Sequence, residues 1–249
     1  MEDIYLIYKN SLQADGYVEV IGSYLGYNVA KIQKAYIDNR INISKLNPIV
    51  IRKELALVWR FADTYDGKVT VKLNTNVAEQ LQDKFSEKQL IDLEEKGKIK
   101  YELSEKEIQL ALEFNKLVLS KIIEDRFSEK FLELGCHSSD LEKASWPSQQ
   151  YEAALPDNEK KPVLEILARN KGVTLEELVK KVKTKIFEYN LSVANLLAEE
   201  QKLKSEVKSC ENIAQCHRVR HLKFGVSMSM KQMEYENVEI SPATIKIIF

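Results

Sequence analysis

TLEELVKKVKTKIFEYNLSVANLLAEEQKLKSEVKS, residues 174–209, is the stretch whose reading decides the fold. Thr174 followed by Glu177 is a capping box, in which two side chains satisfy backbone N–H groups left free at a helix start. Positions 182, 186, 189, 193, 196, 200, 203 and 207 then alternate by four and three, and all except Glu200 are apolar or aromatic. That spacing predicts one helix of about 35 residues, roughly 50 Å long, with a near-heptad seam. Such a seam needs a partner, either the helix expected over 104–134 or a neighbouring subunit. Tyr189, Val193 and Leu196 at its centre are candidate interface residues.

Outward from this helix, the upstream signals are also helical. Asn170-Lys171-Gly172 closes a short helix over 162–169 that opens at Pro162. Before it come Ser145-Trp146-Pro147 and a polar turn, so residues 138–209 read as a helical hairpin. Ser104 and Glu107 form a second capping box, opening a helix with Ile108, Leu112, Leu117, Ile122, Phe127 and Phe131 that stops at Gly135. Ser86 and Gln89 open another, ending near Gly97.

The first 75 residues carry β signals. Ile4–Tyr8 is a strand-like run, and Ile49-Val50-Ile51 is a second extended piece. Residues 11–25 fit a helix with Ser11 as N-cap, Leu12, Val18, Ile21, Tyr24 and Leu25 on one side, and Gly26 as C-cap. Leu57–Phe61 and Val69–Leu73 flank Tyr65-Asp66-Gly67-Lys68, which predicts a hairpin because Asp-Gly suits a turn with two positive φ angles. At the other end, residues 224–249 alternate, with Val238, Ile240, Ile245, Ile247 and Ile248. A strand there completes a sheet in its own chain or a neighbour's, which adds Ile245 and Ile247 to the interface candidates. The expected fold is α+β, in four segments: a docking module over 1–76, a helical connector over 77–135, a helical hairpin module over 136–223 and a β-like segment over 224–249. Trp59 and Trp146 are expected to be buried anchors.

Composition bounds the function. Only eight Gly and five Pro in 249 residues favour long helices over a many-looped β architecture. A net charge of −1 gives no general attraction to nucleic acid or acidic membranes. No stretch approaches the roughly 20 apolar residues of a membrane span. Met1-Glu2-Asp3-Ile4-Tyr5 is acidic and lacks the features of a signal peptide, so synthesis in a reducing cytoplasm is expected.

All three cysteines and all three histidines lie in Cys136-His137 and in Cys210–His221. Cys210, Cys216, His217 and His221 are the candidates for a zinc site, with His217 and His221 on one helical face. Five residues separate Cys210 from Cys216, where structural zinc pairs usually have two to four, so the expectation is no metal. The same two cysteines straddle a helix break and are candidates for a disulfide. Otherwise they are small buried hydrophobes. No nucleophile elbow, glycine-rich phosphate loop or His-Glu-x-x-His occurs, so neither a catalytic residue nor a cofactor is expected. Between 202 and 231, Lys202, Lys204, Lys208, Arg218, Arg220, Lys223 and Lys231 outnumber Glu206 and Glu211. In a near-neutral chain that stripe reads as a solvated helix end, and nucleic acid is not an expected partner.

Leu141-Glu142-Lys143-Ala144-Ser145-Trp146-Pro147-Ser148-Gln149-Gln150-Tyr151-Glu152-Ala153 resembles a recurring segment of tailed-bacteriophage virion proteins. The resemblance continues through Pro162–Arg169, through Gly172-Val173-Thr174 with Glu176 and Glu177, and to Cys210–Gly225, which looks like members from contractile-tailed phages of marine cyanobacteria. Tyr5–Tyr8, Leu25-Gly26-Tyr27, Trp59, Ala62-Asp63 and Asp66-Gly67-Lys68 are similar to small phage tail-associated modules. The resemblance implies a structural virion protein of the tail, baseplate, neck or fibre-attachment apparatus, assembled in the host cytoplasm. Its partners would be other virion proteins and copies of itself, with no small-molecule substrate and no membrane. The alternatives are an assembly chaperone or helical interaction module absent from the particle, and a zinc-stabilised binding domain or enzyme.

Overall fold

The structure, a computed structural model, describes residues 3–13, 16–38, 43–64, 67–72, 85–134, 139–224 and 238–239. The fold is α+β, as expected, and divides into two units. One comprises Met1–Lys121 with Glu206–Phe249, the other Ile122–Ser205. These divisions fall inside two helices, whereas the four segments expected from the sequence cut the chain at other points.

The first unit is built on an antiparallel sheet of order β2-β3-β1-β4, with β1 Asp3–Lys9, β2 Glu19–Tyr24, β3 Tyr27–Gln33 and β4 Ile49–Ile51. Tyr5, Leu6, Ile7 and Tyr8 of β1 are all buried, so this strand is covered on both faces. It pairs with β3 from Asp3↔Gln33 to Lys9↔Tyr27 and with β4 at Tyr5↔Ile51. The helix expected over 11–25 is not formed; β2 occupies its second half. Gly26 does not cap a helix. Leu25 and Gly26 have φ of 51° and 81°, which joins the paired Tyr24 and Tyr27 by a two-residue turn of the kind that matches strand twist. Gly26 has the positive φ that a helix C-cap also uses, so the local signal is shared by both structures.

After β3 come short α1 (Lys34–Asp38), a 3₁₀ turn at Ser44–Leu46, β4, and α2 (Lys53–Leu57). Val58–Phe61 is a 3₁₀ helix, which corrects the strand expected over Leu57–Phe61. Strand β5 (Lys68–Lys72) exists as expected, but its antiparallel partner is β6 (Lys98–Glu102), from Lys68↔Glu102 to Lys72↔Lys98. Asp66 lies outside the described residues. Strand β7 (Val238–Glu239) pairs with the other edge of β5, so these two residues add to a sheet of their own chain.

The helices follow their local signals closely. Ser86 and Gln89 form the expected capping box of α3 (Glu87–Lys96), and Gly97 ends it at φ 68°. Ser104 and Glu107 do the same for α4 (Glu105–Glu133), with Glu107 accepting from Ser104 N at 2.9 Å. Ala111, Leu112, Phe114, Asn115, Val118 and Leu119 of α4 are buried in the first unit.

The second unit contains the end of α4, α5 (Asp140–Ala154), α6 (Pro162–Lys171) and most of α7 (Leu175–Ser209). Thr174 and Glu177 cap α7 as predicted. Ser145-Trp146-Pro147, expected beside a polar turn, lies within α5, which starts at the N-cap Ser139. Ala153, Leu164, Ala168, Leu178 and Val182 form the core joining α5, α6 and α7. Two buried charges lock the α5–α6 corner. The Glu152 carboxylate accepts from Val163 N at 3.1 Å and Leu164 N at 2.9 Å, occupying otherwise free donors at the start of α6. In the other direction, Lys161 Nζ donates to Leu155 O and Pro156 O at 2.9 and 2.7 Å.

Candidate functional site

The seam of α7 finds part of its partner within the chain. In the second unit Lys204 bridges Glu124 of α4 and Glu200 at 2.9 and 2.8 Å, and Lys130 lies 3.6 Å from Glu199. Leu203 is buried there, as is Val182 nearer the helix start. Between them Tyr189, Val193 and Leu196 are only partly covered, with Trp146 edge-on to Tyr189 at 6.1 Å between ring centroids. Trp146 and Trp59 are therefore half-buried anchors and not fully buried ones.

On the far side of α7, Phe187 and Leu191 are one turn apart and are 67% and 50% exposed. Leu197, Leu141, Tyr151 and Ile166 are also exposed in this unit. Among the described residues, eleven of the sixteen exposed large hydrophobic side chains belong to residues 122–205. Ile245 and Ile247 lie outside the described residues.

The first unit carries a buried polar cluster that the sequence reading did not find. Asp63, 3% exposed, follows the 3₁₀ turn at Val58–Phe61. Its Oδ1 atom lies 2.9 Å from the Tyr24 hydroxyl, 2.9 Å from His217 Nε2 and 3.2 Å from an Arg220 nitrogen. The Tyr24 hydroxyl also lies 2.7 Å from Asn115 Oδ1, and its single proton serves one of the two acceptors. Asn115 Nδ2 donates to Ala62 O and Ala111 O, which ties α4 to the turn carrying Asp63. His217 and Arg220 come from α8 (Ile213–Phe224).

Burial pushes the Asp63 carboxyl up, but His217, then Arg220 and Tyr24, outweigh it and hold the group below its ordinary value. Gly22 fits beside this cluster because it has no side chain; a Cβ there would fall 2.0 Å from the Trp59 indole. The arrangement clamps β2, the 3₁₀ turn, α4 and α8 together, as a structural ion-pair node does.

The four zinc candidates separate into different roles. His217 faces Asp63, and His221 is exposed. Cys210 and Cys216 are buried thiols with no disulfide between them. Burial first, then Cys210 beside it, pushes the Cys216 thiol up to about 12. Among the described residues, no three His, Cys, Asp or Glu side chains come together as a metal site. Cys136 and His137 lie outside the described residues. Of the basic stripe, Lys204 is held by two glutamates and Arg220 is buried against Asp63.

Arg220 was legible only as part of that stripe. The missed signal is its helical spacing: Ile213, Cys216 and Arg220 recur at three and four, so an arginine ends an apolar face and requires a buried acid. Comparison with protein-family models, curated proteins and solved structures finds no match to this chain.

Proposed function

We propose that the chain is a non-catalytic structural component of a tailed-phage virion, an adaptor in the tail, baseplate, neck or fibre-attachment apparatus. The observation that carries this reading is the concentration of exposed large apolar side chains on the helical unit, where eleven of the sixteen among the described residues lie. Isolated exposed hydrophobic residues are ordinary, but a surface enriched in them is what a permanent protein interface requires. The resemblance of the α5–α7 sequence to phage virion proteins gives that surface a context.

Two measurements test the reading. Mass spectrometry of purified particles of the phage that encodes the chain is expected to find it at stoichiometric level; its presence in infected cells but absence from particles overturns the virion role in favour of an assembly factor. The double variant Phe187→Glu with Leu191→Glu is expected to leave the circular dichroism spectrum unchanged and to reduce incorporation at least tenfold. Unchanged incorporation removes this face of α7 from the interface.

A further inference from the structure

The corner between α7 and α8 holds chemistry that an adaptor role does not use. Cys210 sits just past the end of α7, with its N–H donating to Val207 O at 3.2 Å and its Sγ to Glu206 O at 3.4 Å. Cys216 sits in the first turn of α8, with its N–H on Asn212 O at 3.3 Å. The connector is itself pinned: Glu211 N donates to the Gln215 side chain at 2.6 Å, and Gln215 N to the Asn212 side chain at 2.9 Å. Both thiols are buried, one on each side of this pinned connector, and Cys216 hydrogen-bonds with Cys210 through its side chain. They differ in access. Cys210 lines an open groove of about 450 Å³ with Glu206, Glu211, Gln215 and Arg218, and Cys216 is not part of its lining.

We propose that Cys210 and Cys216 form a dithiol/disulfide pair, in which Cys210 meets a small disulfide oxidant from the groove and Cys216 resolves the product. The Cys210 sulfur attacks one sulfur of a low-molecular-weight disulfide such as oxidised glutathione, whose S–S bond breaks, and the first glutathione leaves with the Cys210 proton. The Cys216 sulfur then attacks Cys210 in that mixed disulfide, and the second glutathione leaves with the Cys216 proton. Two protein thiols are oxidised and one glutathione disulfide is reduced to two thiols. The order follows from the site, because Cys210 lines the groove, whereas Cys216 does not and holds its proton, which makes it a poor first nucleophile. The bond would staple the corner from which α8 delivers His217 and Arg220 to Asp63.

The test uses the full chain in native buffer with excess oxidised glutathione, followed by alkylation in denaturant and peptide mapping. Cleavage after Glu211 separates the two cysteines, so a Cys210–Cys216 bond appears as a pair of linked peptides that reduction releases. The expected result is that linked pair, with Cys136 alkylated. Alkylation of both Cys210 and Cys216, or linkage of either to Cys136, overturns the proposal. Cys216→Ser is expected to accumulate stable glutathione on Cys210, and Cys210→Ser to leave Cys216 unmodified. Equal modification of the two variants overturns the assigned order, and the unsubstituted chain tests the bond even if either variant fails to fold.

Discussion

Asp63 joins distant parts of the chain, because one carboxylate oxygen gathers His217, Arg220 and Tyr24. Removing one member of a buried charged group leaves the others desolvated without compensation, which costs about 3–5 kcal/mol. Asp63→Asn is expected to lose stability in that range near neutral pH, measured by denaturant unfolding. The pH dependence has a definite sign. The folded carboxyl titrates below the unfolded value of about 3.9. Its contribution is therefore complete above that value and is lost as pH falls through the folded one. The gap between the native chain and Asp63→Asn should narrow on the acid side, and a gap that stays constant down to pH ~3 would show that the charge on Asp63 is not its source. None of this was visible locally. Tyr24 and Arg220 stand 196 positions apart, and only the folded chain brings them to one acid.

At the scale of elements, α6 depends on its neighbour for its start. Its N-cap Lys161 makes no side-chain capping bond, and Pro162 at the first turn has no N–H to satisfy. The next two donors go to Glu152 of α5. Glu152→Ala leaves them buried or poorly solvated, with an expected cost of about 2 kcal/mol. Hydrogen exchange should accelerate at Val163 and Leu164, and a variant with unchanged exchange there would show that α6 starts without this cap. Helices were the legible part of this sequence because their boundaries are written within three residues, as at Ser86/Gln89, Ser104/Glu107 and Thr174/Glu177. Strands were not. Strand β2 contains a register shift between Val20 and Gly22, and the apolar spacing over 12–25 also satisfies a helix. Strand β6 was missed because its partner lies 28 positions away at Val71↔Ile99, and its alternation is lysine-rich. Val58–Phe61 has strand-like composition, yet it turns as a 3₁₀ helix that sets Trp59 over Gly22 and leads into Asp63.

On the scale of the whole molecule, α4 and α7 each serve two cores. In α4, Phe114 and Val118 are buried in the first unit, Ile123 and Phe127 in the second; in α7, Leu178 and Val182 belong to the second unit and Val207 to the first. The cores themselves are made by different residues. Leu6, fully buried in β1, belongs to the sheet unit, while Leu164, also fully buried, packs with Ala153, Ala168, Leu178 and Val182. Truncating either to alanine should cost about 2–5 kcal/mol, through lost burial and the cavity left behind. Sites with no shared neighbours add to within about 0.5 kcal/mol, whereas coupled sites do not. The double variant Leu6→Ala with Leu164→Ala is therefore expected to show the sum of the two losses in denaturant unfolding. Hydrogen exchange in each single variant should rise mainly in its own unit. A combined loss that departs from the sum by more than about 1 kcal/mol would mean that the continuous helices transmit a defect from one core to the other. Additive losses would instead mean that each unit holds its own share of α4 and α7, which is the condition for one unit to be rebuilt at an interface without unfolding the other.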